Sequence, residues 1–161
     1  YADCPLYWIS VIYLNFAEAK AEMGSLTQDD LNNSINKLQA RAGLPAMTTT
    51  PDADPANNMG VSNLIWEIRR CRRCELIMDN WYRYWDLIRW HQLDKLDSTK
   101  YPNTMLGANV SNVPDCEEAT KNGYIDASDA QIRTYEAKHY FYPIPTTQLT
   151  LNKNMKQNPG W

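Results

Sequence analysis

The chain has 161 residues, 43% hydrophobic and 22% charged, with 16 basic and 19 acidic side chains and a net charge of −3. That length suits one domain, able to bury roughly 70% of its unfolded surface without a disulfide framework. The slight acidic surplus argues against a nucleic-acid partner, which needs an excess of cations, and the short apolar runs exclude a membrane-spanning helix.

The start, Tyr1-Ala2-Asp3-Cys4-Pro5, has no initiator Met, basic region or apolar run. It therefore carries neither a signal peptide nor a lipobox, and a cut or truncated chain is expected. Over residues 6–23, Leu6, Ile9, Tyr13, Phe16 and Ala17 recur at helical spacing, and Gly24 suits a left-handed cap. Thr27-Gln28-Asp29-Asp30 reads as an N-cap with an acidic first turn. Leu31, Ile35, Leu38 and Ala42 then form the stripe of a second helix, closed by Gly43 and Pro45. Residues 1–45 are thus predicted to form a helical hairpin, in a unit of about 38 residues that is close to one tetratricopeptide-type repeat.

Residues 46–62 are polar and predict a surface loop, with Ser62 as the next N-cap. Residues 63–96 predict a long or broken helix, with Leu64, Ile68, Cys71, Met78, Tyr82, Trp85 and Ile88 as its core stripe. Asp79 and Asn80 favour caps over helix interiors and mark the expected break. Residues 97–139 lack periodicity and predict an irregular loop region, long enough to be functional. Residues 140–161 form a C-terminal tail, extended through Pro143 and Pro145, with a short helix expected from Thr146 or Thr147. The fold class is mainly α.

Few residues carry reactive chemistry. Cys71-Arg72-Arg73-Cys74 has the spacing of a redox dithiol or half a zinc site. A redox pair wants a helix N-terminus to lower its thiol pKa, however, and this one lies inside a helical pattern. Cys4, Cys116, His91 and His139 show no second paired spacing. One core cysteine and one incidental cysteine is the favoured reading, with no metal and no cofactor. With two His and no HExxH, GxSxG or P-loop pattern, no catalytic residue is assigned.

Arg69, Arg70, Arg72 and Arg73 interleave with Glu67, Glu75, Asp79, Arg83 and Asp86 at helical spacings. This predicts a structural ion-pair network rather than a phosphate patch. Six Trp and ten Tyr against two Phe mark a preference for rings with a polar handle. Loop-borne rings of this kind can stack on the apolar face of a sugar while amides bond its rim. Tyr101, Asn103, Asn109 and Asn112, with Trp81, are the candidate carbohydrate contacts.

Several strings together resemble one known family. Tyr13-Leu14-Asn15-Phe16-Ala17-Glu18-Ala19-Lys20 resembles its YLNYAEAK helix, and Arg41-Ala42-Gly43-Leu44-Pro45 its RAGLP helix end. Glu67-Ile68-Arg69-Arg70 through Glu75-Leu76 resembles EIRRERRxEL, and Arg83-Tyr84-Trp85-Asp86-Leu87 through Arg89-Trp90 resembles RYWDLxRW. Ile144-Pro145, Leu151-Asn152 and Gln157-Asn158-Pro159-Gly160-Trp161 resemble its PIP, LN and QNPGW terminus. The family is the SusD/RagB group of outer-membrane nutrient-binding lipoproteins of Bacteroidetes.

The resemblance implies a tetratricopeptide-like helical scaffold, lipid-anchored at the cell surface through a segment outside this chain. It implies a glycan or peptide ligand, passed to a SusC-like TonB-dependent transporter, and no enzymatic activity. It also implies that these residues are the C-terminal portion, roughly the last third, of a longer protein. A module that mainly docks the transporter is the alternative reading. Two departures stand out. Cys71 replaces a Glu of the family pattern, and residues 78–83 carry one residue more than its FEGxR string, which predicts a bulge or break at 79–82.

Overall fold

A computed structural model describes residues 7–78, 82–114, 120–126 and 131–161, and shows a mainly helical chain in two compact units, 1–83 and 84–161. In the first unit, α1 (Ile9–Glu22) packs against α3 (Ile35–Arg41) and α4 (Asn63–Glu75), and α2 (Gln28–Asn32) leads into α3. Gly24 and Gly43 end α1 and α3 in the left-handed conformation. Thr27 and Asp30 form a reciprocal capping box: the Thr27 hydroxyl accepts the Asp30 N–H at 3.1 Å, and the Asp30 carboxylate accepts the Thr27 N–H at 2.9 Å. Ser62 likewise accepts the Ile65 N–H at the start of α4.

The predicted second helix is two helices. Asn33 and Ser34 interrupt it because their side chains bond the preceding turn, Asn33 to the Asp29 carbonyl at 2.9 Å and Ser34 to that of Asp30 at 2.6 Å. Leu31, Ile35 and Leu38 stay buried across the break, while Ala42 is exposed. The core they enter also holds Leu14, Ala17, Met47, Ile68 and Leu76. Met47 comes from the loop after α3. Its backbone is held as in a strand pair by buried Asn36, which accepts its N–H at 2.7 Å and donates to its carbonyl at 3.1 Å.

Two predicted stripes are out of phase with the structure. On α1 the buried residues are Ser10, Leu14, Ala17 and Glu18, whereas Ile9 and Phe16 are exposed. Of the stripe predicted for the 63–96 segment, Ile68 is buried, and Leu64, Cys71, Tyr82 and Ile88 are half-buried. Met78 and Trp85 are exposed. The reason is that α4 stops at Glu75 and the chain turns with Met78 at φ +62°, so the helical phase is lost. Helix α5 begins at Tyr82 and ends at Arg89. Of the break expected at 79–82, residues 79–81 lie outside the described residues.

In the second unit α5 contributes Leu87, which is buried, as are Trp90 and Leu93 just beyond it. Short 3₁₀ turns follow at Leu93–Leu96 and Pro102–Met105. Asp97 fastens the turn between them to Tyr135, accepting the Thr99 hydroxyl and N–H and the Tyr135 N–H. These bonds, the Thr99 hydroxyl first, hold its carboxyl down at about 2. Residues 97–139 are not wholly irregular, since they carry a three-stranded antiparallel sheet ordered β1 (Leu106–Asn109), β3 (Tyr124–Asp126), β2 (Thr120–Lys121).

Asn122 and Gly123, both at positive φ, turn β2 into β3. At φ +82° a Cβ on Gly123 would lie 2.0 Å from the Ser111 hydroxyl oxygen. Gly123→Ala is therefore expected to destabilise this hairpin by about 1–2 kcal/mol. The change should appear as faster amide exchange at Val110, whose N–H donates to the Gly123 carbonyl at 2.8 Å. Helix α6 (Thr146–Leu151) starts where the prolines predict.

Candidate functional site

The predicted sugar contacts divide between two places. Tyr101, half-buried, precedes the 102–105 turn, and the Lys95 ammonium sits 5.0 Å from its ring centroid. Asn103 is exposed on that turn. Asn109 ends β1, where its side-chain oxygen accepts the Ser111 N–H at 3.0 Å, and Asn112 is exposed just beyond. Trp81 lies outside the described residues. The three rings of 97–139, Tyr101, Tyr124 and Tyr135, are all half-buried, so none is displayed as a free stacking face.

The cysteine pair shows no sign of redox poise. Burial pushes the Cys71 thiol up to about 12, and the Gln39 amide donates to its sulfur at 3.8 Å. Cys74, one turn on, is exposed and unbridged. Among the described residues no cluster of three or more His, Cys, Asp or Glu is arranged to hold a metal ion. Iodoacetamide at pH 8 is expected to label Cys74 in the folded protein and Cys71 only after unfolding, as read by peptide mapping. Equal labelling of both would contradict the burial of Cys71.

The arginine-rich helix bonds to its neighbours. Arg69 donates to Glu18 at 3.0 Å and Glu22 at 3.1 Å, both on α1, and Arg72 donates to Asn15 on the same helix at 2.9 Å. Glu75 holds Arg41 of α3 at 2.6 Å rather than pairing with Arg72 as the spacing suggests. Glu67 pairs with Arg70, and Arg73 is exposed. On α5, buried Asp86 accepts from Arg89 at 3.0 Å, and Arg83 is engaged as well.

Exposed rings lie elsewhere, among them two in the second unit. Trp85 on α5 is 55% exposed, and Tyr142 in the extended tail is 69% exposed. Tyr84 meets Trp85 edge-on at 5.6 Å. The neighbouring Tyr142 hydroxyl first, and burial second, raise the Tyr84 pKa above the usual phenol value.

The backbone that carries Tyr142 is fastened by the last residues of the chain. Gln157 accepts the Ile144 N–H at 2.8 Å and donates to the Ile144 carbonyl at 2.9 Å. Asn158 donates to the Tyr142 carbonyl at 2.7 Å, and the Trp161 indole N–H is shared between the carbonyls of Phe141 at 2.9 Å and Lys138 at 3.2 Å. Gly160, at φ +87°, lets this turn close: a Cβ there would stand 2.9 Å from that of Lys138. Ring contacts continue from Trp161 through His139, Tyr135 and Tyr140 to His91. Composition pointed to Trp and Tyr, but spacing alone placed Trp85 in the core and assigned Tyr84 and Tyr142 no part.

Fold and site together define a mainly helical scaffold that displays aromatic rings. The SusD family model matches residues 2–161, and the chain belongs to that family. In fold it is similar to the crystal structure of a SusD-like protein from Bacteroides fragilis NCTC 9343, with a TM-score of 0.63 and 24% identity over 94% of this chain. The match covers 25% of that protein, so the chain spans about a quarter of its length. Comparison with curated proteins finds no match.

Proposed function

We propose that this chain is part of a cell-surface protein that captures a glycan and delivers it to a SusC-like TonB-dependent transporter of the outer membrane. Membership of the SusD family over residues 2–161 is the observation that carries this reading. Its chemistry is capture, not catalysis: rings supply affinity by stacking, and hydroxyls and amides orient the sugar. Among the described residues no helix is long and apolar enough to cross a membrane. Family membership supports attachment to the outer membrane through a lipid anchor on a segment outside this chain. Weak contacts repeated along a polymer suit a ligand that must later be released.

Affinity electrophoresis of the intact protein through gels containing starch, xylan, laminarin, pectin or galactomannan tests this. Retardation by one of them is expected. Migration unchanged in all of them, together with binding of a peptide mixture, would replace the glycan with a peptide ligand.

A docking role is the second reading, and the outer face of α1 favours it. Trp8, Ile9, Ile12 and Phe16 are exposed there at helical spacing. A photo-crosslinker at Ile12 should capture the transporter in cells if this face docks it. A crosslink confined to the protein's own chain would discard that role.

A further inference from the structure

We propose that the outer face of α1 is the seat of a further helix of the same polypeptide, supplied by the part of a longer family protein that lies outside these 161 residues. This cover is separate from the glycan reading, and it removes the face from transporter docking.

Side chains are distributed around α1 in an unusual way for a surface helix. At about 100° per residue, Leu14, Ala17 and Ala21 fall on one side, where they join the core. Ile12, Phe16, Ala19 and Met23 fall on the opposite side, one above another at helical spacing, and all are exposed. Ile9 lies at the edge of this stripe. The charged side chains of α1 avoid it. Glu18 and Glu22 both turn to Arg69 of α4, at 3.0 and 3.1 Å, and Lys20 pairs with Asp30 of α2 at 3.3 Å. Asn15 accepts from Arg72 of α4 at 2.9 Å. A surface helix carries polar residues opposite its core side, whereas α1 carries apolar ones there. A helix apolar on two opposite sides belongs inside a larger body or a membrane, and the 14 residues of α1 are too few to span one.

The size of the face selects the occupant. Stable association between separate proteins takes about 20–30 residues a side. Even with Trp8 and Ile9 added, the stripe is a single helix face of Trp8, Ile9, Ile12, Phe16, Ala19 and Met23. That suits one helix packed on another within a chain, where the tether supplies the effective concentration that a free partner lacks. Ala19 is small enough to let the second helix approach to an axial distance of about 8–10 Å. Stacked helix pairs bury a face on each side in this way. The match to the solved SusD-like protein covers 25% of that protein, so this fold occurs there within a body large enough to supply the covering helix.

The test uses the intact protein, purified without the transporter and confirmed as a monomer by light scattering. Ile12→Cys and Met23→Cys report cover at the two ends of the stripe through iodoacetamide labelling, with exposed Cys74 as the internal reference. Each new thiol is expected to react at least about tenfold more slowly than Cys74 in the folded protein, and as fast once it is unfolded. A photo-crosslinker at Phe16 is expected to join a segment of the same polypeptide outside residues 1–161, as read by peptide mass mapping. Circular dichroism melts control for folding; where one cysteine variant fails to fold, the other and the crosslinker read the same face.

Labelling of both new thiols at the Cys74 rate in the folded monomer would overturn the proposal. A crosslink to a second copy, or one confined to residues 1–161, would overturn it as well.

Discussion

Arg69→Ala is expected to destabilise the protein by about 3–5 kcal/mol. Glu18 is 2% exposed, between Leu14 and Ala17 on the face of α1 that meets α4, and accepts from Arg69 at 3.0 Å. Taking both charges out of water is costly, and the bond repays part of that cost while it lasts. Without the guanidinium, the Glu18 carboxylate stays buried with this charge partner gone. Glu22, which also accepts from Arg69, is half exposed and water can take over its solvation. The midpoint of urea unfolding reads the change. Combining Arg69→Met with Glu18→Leu should recover most of the loss, because a packed apolar pair removes the stranded charge. A single-variant loss under about 1 kcal/mol would mean that water reaches Glu18 and that the pair behaves as a surface one.

That pair also shows where sequence reasoning succeeded and where it lost the structure. Signals confined to four or five residues were legible. Thr27 with Asp30, Ser62, Gly24 and Gly43 end or start helices as their local chemistry demands. The phase of α1 was not legible, because Ile9, Ile12 and Phe16 are as apolar as Leu14 and Ala17, so spacing does not single out the buried side. The deciding residue is Glu18, which enters the core beside Arg69, 51 positions away.

The same distinction applies to the second unit. Asn122-Gly123 is a strong hairpin signal, yet strands of two to four residues leave no alternation to read around it. The continuous stripe drawn through Met78 and Trp85 assumed one helix. The turn after Glu75 resets the phase and sends both side chains outward. The terminal Gln157-Asn158-Pro159-Gly160-Trp161 was visible only as a resemblance, because its bonds reach back 13 to 23 positions to backbone atoms that no spacing rule indicates.

The question of which side of α1 faces the core has a direct answer in a pair of truncations. Leu14→Ala is expected to cost about 2–5 kcal/mol, the transfer energy of the lost side chain plus the cavity it leaves. Leu14 is fully buried and shares its core with Ile35, Leu38 and Ile68, so α3 and α4 would both have to move to close the void. Ile9→Ala, on the same helix and of similar volume, is expected to change stability by less than about 0.5 kcal/mol, because Ile9 is 61% exposed and leaves no cavity. Urea unfolding of the two variants side by side measures the difference. A large loss at Leu14 with none at Ile9 places the core on the Glu18 side of α1. Equal losses would mean that a further element covers the outer face. The reverse order would return the core to the stripe that apolar spacing alone selects.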